Sequence, residues 1–131
     1  MNIPSAKLLF IGTPEARVGR DVVIQVAAEP EAPINAIQGD IHFDPALLEF
    51  ADRFDSGIVT LWVEPPHATA PGVIHYAGII PGGAGLANST TANLFSLHFT
   101  ARDIGTARIA FANSHLYANQ ADGAEIPVVT S

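Results

Sequence analysis

Hydrophobic and polar residues alternate along much of the chain, and the alternation is clearest between residues 34 and 43. In this segment one face carries Ile37, Gly39, Ile41 and Phe43, and the opposite face carries Gln38, Asp40 and His42. A period of two residues is typical of a β-strand with one buried and one exposed side. The segment therefore predicts a half-buried strand with a polar outer side.

Short segments of the same kind recur along the chain, and Gly and Pro separate them. The sequence holds 11 Gly and 10 Pro, and the segments between them are rich in Val, Ile, Phe and Thr. About nine strands are predicted, over residues 7–11, 21–28, 34–43, 47–51, 58–64, 73–80, 93–102, 106–112 and 125–130. Turn signals roughly every ten residues are typical of a β-sandwich or jelly roll, so we expect an all-β fold.

One short helical turn is expected within this β pattern, at residues 44–48. The Asp44 carboxylate can cap such a turn, and Pro45 at its first position loses no N–H that the turn needs. Elsewhere Ala lies in alternating or Pro-broken segments, and this pattern outweighs its helix propensity.

The length and composition favour one folded domain. The chain has 131 residues, 48% of them hydrophobic and 15% charged, which does not fit a disordered protein. We expect residues 1–131 to form a single domain, and because domain-like sequence follows Met1 at once, we expect it to be a piece of a longer protein. The longest uncharged stretch, residues 65–101, is interrupted by Pro, Gly and polar residues, so no membrane insertion is expected.

Charge and cysteine content exclude several classes of function. The six Lys and Arg residues are scattered and the formal net charge is -7, which disfavours binding to nucleic acid. The absence of Cys excludes disulfide scaffolds, Cys-based zinc sites and thiol nucleophiles.

Five motifs, in their order along the chain, resemble a cohesin module, the receptor domain of cellulosome scaffolds (scaffoldins). They are VGRDV at 18–22, IHFDPALLEF at 41–50, LFSLHFTA at 94–101, GTARI at 105–109 and the segment DG–EIPV at 122–128. Each motif is common by itself, and the resemblance lies in their order and spacing over nearly the whole chain.

The resemblance implies a nine-stranded jelly roll of two sheets and a non-catalytic module that binds a dockerin. The calcium ions would be carried by that partner, and the module would be a monomer at an extracellular or cell-surface location. In the family, strands three, five, six and eight form the binding face. On this chain the implied partner-binding residues are Gln38, Asp40, His42, Trp62, His75 and Arg108. Ala36 and Gln38 stand where the family has a dockerin-contacting Asn and Asp, which indicates either a divergent partner or no dockerin partner.

Two aromatic residues have predicted orientations within this face. Trp62 shares its strand parity with Thr60 and Glu64, which would place it on the polar face as an anchor for a partner. The alternative is that Trp62 packs in the core or under the Pro65-Pro66 segment. Tyr76 has the parity opposite to His75 and is expected to point inward.

The histidines and acidic residues also allow other chemistry. His42 and His75 on neighbouring strands could form a pH-sensitive pair or, with Asp40, a metal site. Exposed polar strand positions explain them more simply, and without closely spaced histidines we expect no metal. Among the other carboxylates, Asp52 and Asp55 are expected in a turn.

The sequence does not predict an enzyme or a cofactor site. No Ser lies in a nucleophile elbow, and the Gly-rich segment 81–85 precedes a predicted strand rather than the helix that a phosphate loop requires. Residues 88–90 fit a glycosylation sequon.

Two further functions remain open at this point. A carbohydrate-binding module would present a coplanar row of aromatic rings, for which Trp62, Tyr76 and Tyr117 are the Trp and Tyr residues available. A structural spacer domain of a bacterial surface or pilus-like protein would pack this face only on a neighbouring domain.

Overall fold

A computed structural model describes residues 6–12, 15–30, 34–81, 91–118, 125–126 and 128–130. The described residues form strands and turns, without a helix. The strands are β1 (Ala6–Ile11), β2 (Glu15–Ala16), β3 (Asp21–Pro30), β4 (Ile34–Phe43), β5 (Leu48–Ser56), β6 (Leu61–Ala70), β7 (Val73–Ile79), β8 (Ala92–Ala101), β9 (Gly105–Thr106), β10 (Ile109–Ala118), β11 (Glu125–Ile126) and β12 (Val128–Thr130).

These strands form two five-stranded sheets, and the predicted all-β sandwich is confirmed. One sheet has the order β12-β1-β3-β8-β5, the other has the order β11-β10-β4-β7-β6, and β2 pairs with β9 in a short separate ladder. Neighbouring strands are antiparallel except β1 and β12, which are parallel.

The apolar core lies between the two sheets, because alternate side chains of each strand point to the facing sheet. Its largest fully buried side chains include Tyr76, Phe95 and Phe99, and every fully buried residue among those described is apolar or Tyr. Tyr76 is 1% exposed, which confirms its predicted inward orientation. The described part of the chain holds no helix with the length and apolar character that crossing a membrane requires.

Four details of the predicted strands were wrong, and local pairing explains each. The predicted strand at 58–64 is β6, which starts at Leu61 and continues to Ala70 because it lies at a sheet edge and contains register shifts, where Pro is tolerated. The predicted strand at 106–112 is divided into β9 and the longer β10. The segment at 125–130 is divided into β11 and β12, which join different sheets. The two-residue β2 was not predicted.

The segment with Asp52 and Asp55 is also a strand rather than the predicted turn. Both residues lie in β5, where a register shift between Phe50 and Arg53 accommodates Asp52 at φ 54°. Such a bulge inserts an extra residue without ending the strand, so a turn-like composition was compatible with continued pairing.

The predicted turn after β4 is confirmed. The amide of Ala46 donates to Asp44 Oδ1 at 2.9 Å, and the amides of Leu47 and Leu48 donate to the Asp44 carbonyl. These bonds form a single helical turn, and β5 starts at its last residue, Leu48.

The tight connection between β6 and β7 sets the register of the sheet that contains β4, β7 and β6. It consists of Pro71 and Gly72, and Gly72 has φ 77°, a conformation that favours glycine. The Gly72 carbonyl accepts a hydrogen bond from the Phe43 amide at 2.9 Å. A side-chain carbon at position 72 would lie 2.7 Å from the Phe43 carbonyl oxygen, so the close approach to β4 requires glycine.

Candidate protein-binding face

The outward side of β10, β4, β7 and β6 forms one continuous surface, which we call the outer face. Residues that pair across antiparallel strands point to the same side of a sheet, so the strand register arranges this surface in rows. The resemblance placed the predicted strands three, five, six and eight on one binding face. These strands are β4, β6, β7 and β10, and they are adjacent in the order β10-β4-β7-β6.

The central row contains a hydrogen-bonded network around His75. Asp40 on β4 pairs with His75 on β7, and the His75 Nδ1–H donates to Asp40 Oδ1 at 2.7 Å. On the other side of the ring, Nε2–H donates to Glu64 Oε2 on β6 at 2.8 Å. Asn113 Nδ2 on β10 donates to the second Asp40 oxygen at 3.0 Å. The network therefore spans all four strands, and we call it the His75 network.

The network changes the acidity of its members. The hydrogen bond to Asp40 raises the pKa of His75 above its ordinary value, partial burial opposes this, and the bond to Glu64 adds to it. The hydrogen bond from Asn113 holds the pKa of Asp40 below its ordinary value, with His75 adding to the effect and partial burial opposing it. Each group thus favours the charged form of its neighbour.

Two members of the network were not among the predicted site residues, and β-bulges placed both. A register shift between Trp62 and Glu64 in β6 turns Glu64 outward, opposite Ala77. A shift after Ala112 in β10 accommodates Asn113 at φ 51°, which aims its amide at Asp40. The tolerance of Asn for positive φ was the one signal in the sequence that could have indicated the second bulge.

The bulge in β6 also decides between the two alternatives for Trp62, because it places the Trp62 side chain against the core. Trp62 pairs with Gly78, and its ring makes edge-to-face contacts with Phe54 and Phe95 at centroid distances of 5.3 Å. The indole N–H donates to Ser56 Oγ at 3.0 Å. The prediction that Trp62 shares a face with Glu64 was wrong, because a one-residue shift reverses side-chain parity.

The other predicted site residues lie on the outer face or at its end. Gln38 and His42 are exposed on β4, and Arg108 is exposed immediately before β10. His42 pairs with Ala110, while Gln38 pairs with His115. The structure thus joins Asp40 and His75 directly and places Gln38, His42 and Arg108 around them.

One end of the outer face is apolar. Leu61 pairs with Ile79, Ile79 with Ala36, and Ala36 with Tyr117, so these side chains form a row across the four strands. Leu61 is 55% exposed, although it is a large apolar residue. The intervening row, which contains Ala77, Gln38 and His115, separates it from the His75 network.

Histidines are concentrated on this side of the molecule. Of the five in the sequence, His42, His67, His75 and His115 lie on the strands of the outer face. His115 pairs with Glu125 of β11, and His67 contacts the Pro65 carbonyl at 2.7 Å. No group of three or more metal-ligating side chains suited to hold an ion occurs among the described residues.

Trp62 and Tyr76 do not form the aromatic row that a carbohydrate-binding module would present. The Trp62 ring packs against Phe54 and Phe95, and Tyr76 is buried under the outer face. An exposed sheet face with a central ionic network and an apolar end is suited instead to contact with another protein. The Gly-rich segment from residue 82 and the sequon at 88–90 lie outside the described residues.

Known structures share this architecture. A cohesin from Clostridium acetobutylicum, determined in solution, is 17% identical with a TM-score of 0.75, covering 99% of this chain and 88% of that chain. The sixth cohesin of scaffoldin B from Acetivibrio cellulolyticus, crystallised with a dockerin, is 16% identical with a TM-score of 0.75, covering 97% and 94%. A non-cellulosomal cohesin from the archaeon Archaeoglobus fulgidus is 18% identical with a TM-score of 0.74, covering 96% and 86%.

No protein-family model matches the sequence, and no curated protein matches it. At these identities the likeness concerns the fold. The chain has the jelly-roll fold of cohesin modules, as its motifs predicted.

Proposed function

We propose that this chain is a non-catalytic receptor module that binds a dockerin-type partner across the outer face of β10, β4, β7 and β6. The observation that carries the proposal is the His75 network, which joins these four strands into one polar centre on an open surface. Two kinds of support come from outside the chain: its fold is that of cohesins, and one of the similar structures is a cohesin with a bound dockerin.

The chemistry of the outer face indicates how it would bind. Asp40 and His75 are partly buried and hydrogen-bonded, so they offer a rigid polar centre with little side-chain entropy left to lose. Gln38 and His42 flank this centre and are free to bond to a partner, while Leu61 and Ile79 supply apolar contact. Interfaces commonly combine such a desolvated centre with a polar rim.

The remaining expectations follow from the same proposal. The calcium ions would reside in the dockerin, the module would be a monomer, and the parent protein would be a scaffold located outside the cell or at its surface. The departure from the family pattern at Ala36 and Gln38 would select a partner different from a standard cellulosomal dockerin.

Titration calorimetry against a panel of purified dockerins tests this function, with calcium present and after addition of a chelator. We expect at least one dockerin to bind, and the chelator to abolish binding. Asp40→Ala should weaken the affinity by about tenfold or more, which is about 1.4 kcal/mol or more, because it removes a central side chain of the face and a hydrogen-bond partner of His75.

Asp55→Ala provides the matched control, because Asp55 also bonds to a histidine but lies on the outside of the other sheet. Equal losses for Asp40→Ala and Asp55→Ala would contradict the assignment of the outer face. No binding to any dockerin would contradict the function and favour the spacer alternative.

A further inference from the structure

His75 has a carboxylate oxygen at each ring nitrogen. Nδ1 lies 2.7 Å from Asp40 Oδ1 and Nε2 lies 2.8 Å from Glu64 Oε2. A carboxylate oxygen only accepts a hydrogen bond, and a neutral imidazole has a single N–H. Both contacts can therefore be hydrogen bonds only when the ring is an imidazolium, and the geometry defines the protonated state.

The groups that surround His75 come from each neighbouring strand. Asp40 and His42 lie on β4, Glu64 and His67 lie on β6, and the buried Tyr76 follows His75 on β7. The His67 and His75 rings are 6.0 Å apart. From β10, the uncharged Asn113 reaches Asp40. The charges in direct hydrogen-bonding contact with His75 are thus two carboxylates.

Loss of the His75 proton would open one side of the network. Asp40 is 22% exposed and is also held by Asn113, whereas Glu64 is 51% exposed and bonds within this network to His75 alone. Glu64 is therefore the contact that opens. The three side chains then carry two negative charges instead of one, and a second carboxylate is free at the edge of the face.

A partner that covers the network increases the free-energy difference between its protonated and deprotonated states. Ala77 on β7 and Ala112 on β10 lie beside the network, and Gln38 and His42 are exposed along β4 on either side of Asp40. A protein surface that binds these flanking residues can cover the network and displace water. Removing water from a cluster with two negative charges costs more than removing it from a cluster with one. A partner that lays an uncharged surface over the network therefore favours the protonated ring.

We propose, on the basis of the proposed function, that docking across the outer face is coupled to protonation of His75. The face binds an uncharged partner surface while His75 bridges Asp40 and Glu64, and it releases that partner when the bridge to Glu64 opens. Binding takes up a proton in the range where the free module has lost it, so affinity falls as the pH rises.

The free protein tests the first part of this inference. Nitrogen-15 NMR of the imidazole groups should show both His75 nitrogens protonated at about pH 6, and the midpoint of the His75 titration should lie above that of histidine in an unfolded chain, about 6.5. Glu64→Gln should lower that midpoint, while Asp55→Asn should leave it unchanged. A His75 ring with one protonated nitrogen at pH 6 would overturn the inference.

Binding of a dockerin from the panel tests the second part. One linked proton changes the affinity by at most about tenfold per pH unit, so we expect a loss of about tenfold or more between pH 6 and pH 8.5. His75→Gln should bind with an affinity that is nearly independent of pH over this range. An unchanged pH slope in His75→Gln, or a rise in affinity with pH, would overturn the coupling and leave the docking function intact. Failure of every dockerin at every pH would instead overturn the docking function, and the coupling with it.

Discussion

The two sheets each carry a histidine bonded to a carboxylate on their outer sides, and the two arrangements differ in extent. His98 on β8 bonds to Asp55 on β5 at 2.5 Å, and this bond holds the pKa of Asp55 below its ordinary value. His75 bonds to carboxylates on two strands and is connected through Asp40 to a third. The first is an isolated surface pair, and the second joins a whole face.

The surroundings explain this difference. His98 pairs with Val23 on one side and Arg53 on the other, and Asp55 is more than half exposed. Exposed ion pairs of this kind contribute little to stability because water screens them. His98 itself is 14% exposed and His75 is 28% exposed, so the difference lies in the carboxylates. Asp40 is 22% exposed and is also held by Asn113, whereas Asp55 is 59% exposed and bonds to His98.

The largest expected effect concerns the packing at Gly78, on the inward side of β7 beneath the outer face. A side-chain carbon at Gly78 would overlap Val59 and lie 2.9 Å from Trp62 Cε3. Gly78→Ala should therefore lower the free energy of unfolding by about 1–3 kcal/mol, measured by urea denaturation. The matched control is Ala77→Ser on the outward side of β7, and an equal loss in both variants would contradict the inward packing.

The second prediction compares the two histidines directly. His75→Ala removes two charge-assisted hydrogen bonds and should lower the free energy of unfolding by about 1–2 kcal/mol at pH 6. His98→Ala removes one ion pair whose carboxylate is mostly exposed, and a smaller loss is expected. Thermal and urea unfolding of both variants check this, and a larger loss for His98→Ala would reverse the comparison.

The third prediction concerns the pH dependence of stability. Because folding raises the pKa of His75, its contribution is complete below about pH 6.5, the value in the unfolded chain, and disappears as the pH rises through the folded value. Because folding lowers the pKa of Asp40, its contribution is complete above about pH 4 and disappears on acidification.

Unfolding free energies should therefore fall between pH 6 and pH 8.5 in the unchanged protein. The fall should be smaller in His75→Gln and unchanged in Ala77→Ser, which alters no titratable group. Equal slopes in all three proteins would show that other groups govern this pH range.

The smallest expected effect concerns a hydrogen bond between the edge strands of the two sheets. Ser56 on β5 accepts the hydrogen bond from the Trp62 indole on β6, which links the two sheets. Ser56→Ala should cost about 0.5–1 kcal/mol and shift the emission of the only Trp. Thr60→Ala is the control, and an unchanged emission in Ser56→Ala would contradict this contact.

Much of the architecture was predictable because burial repeats with a period of two in most strands. The inward Tyr76 and the outward Gln38, Asp40 and His42 followed from parity within β4 and β7. Trp62 and Glu64 were assigned to one face because parity counting assumes a regular strand. The register shift between them broke that assumption, and nothing in the local sequence marks its position.

Alternation, turn residues and an apolar composition by themselves determined an all-β sandwich with a polar side on β4, since each follows from local geometry and burial. The tertiary structure alone decided which polar residues meet. Asp40 and His75 are 35 positions apart, and Asn113 is 73 from Asp40. Their contact depends on strand order, register and two bulges, and these are set by pairing between distant segments rather than by any one of them.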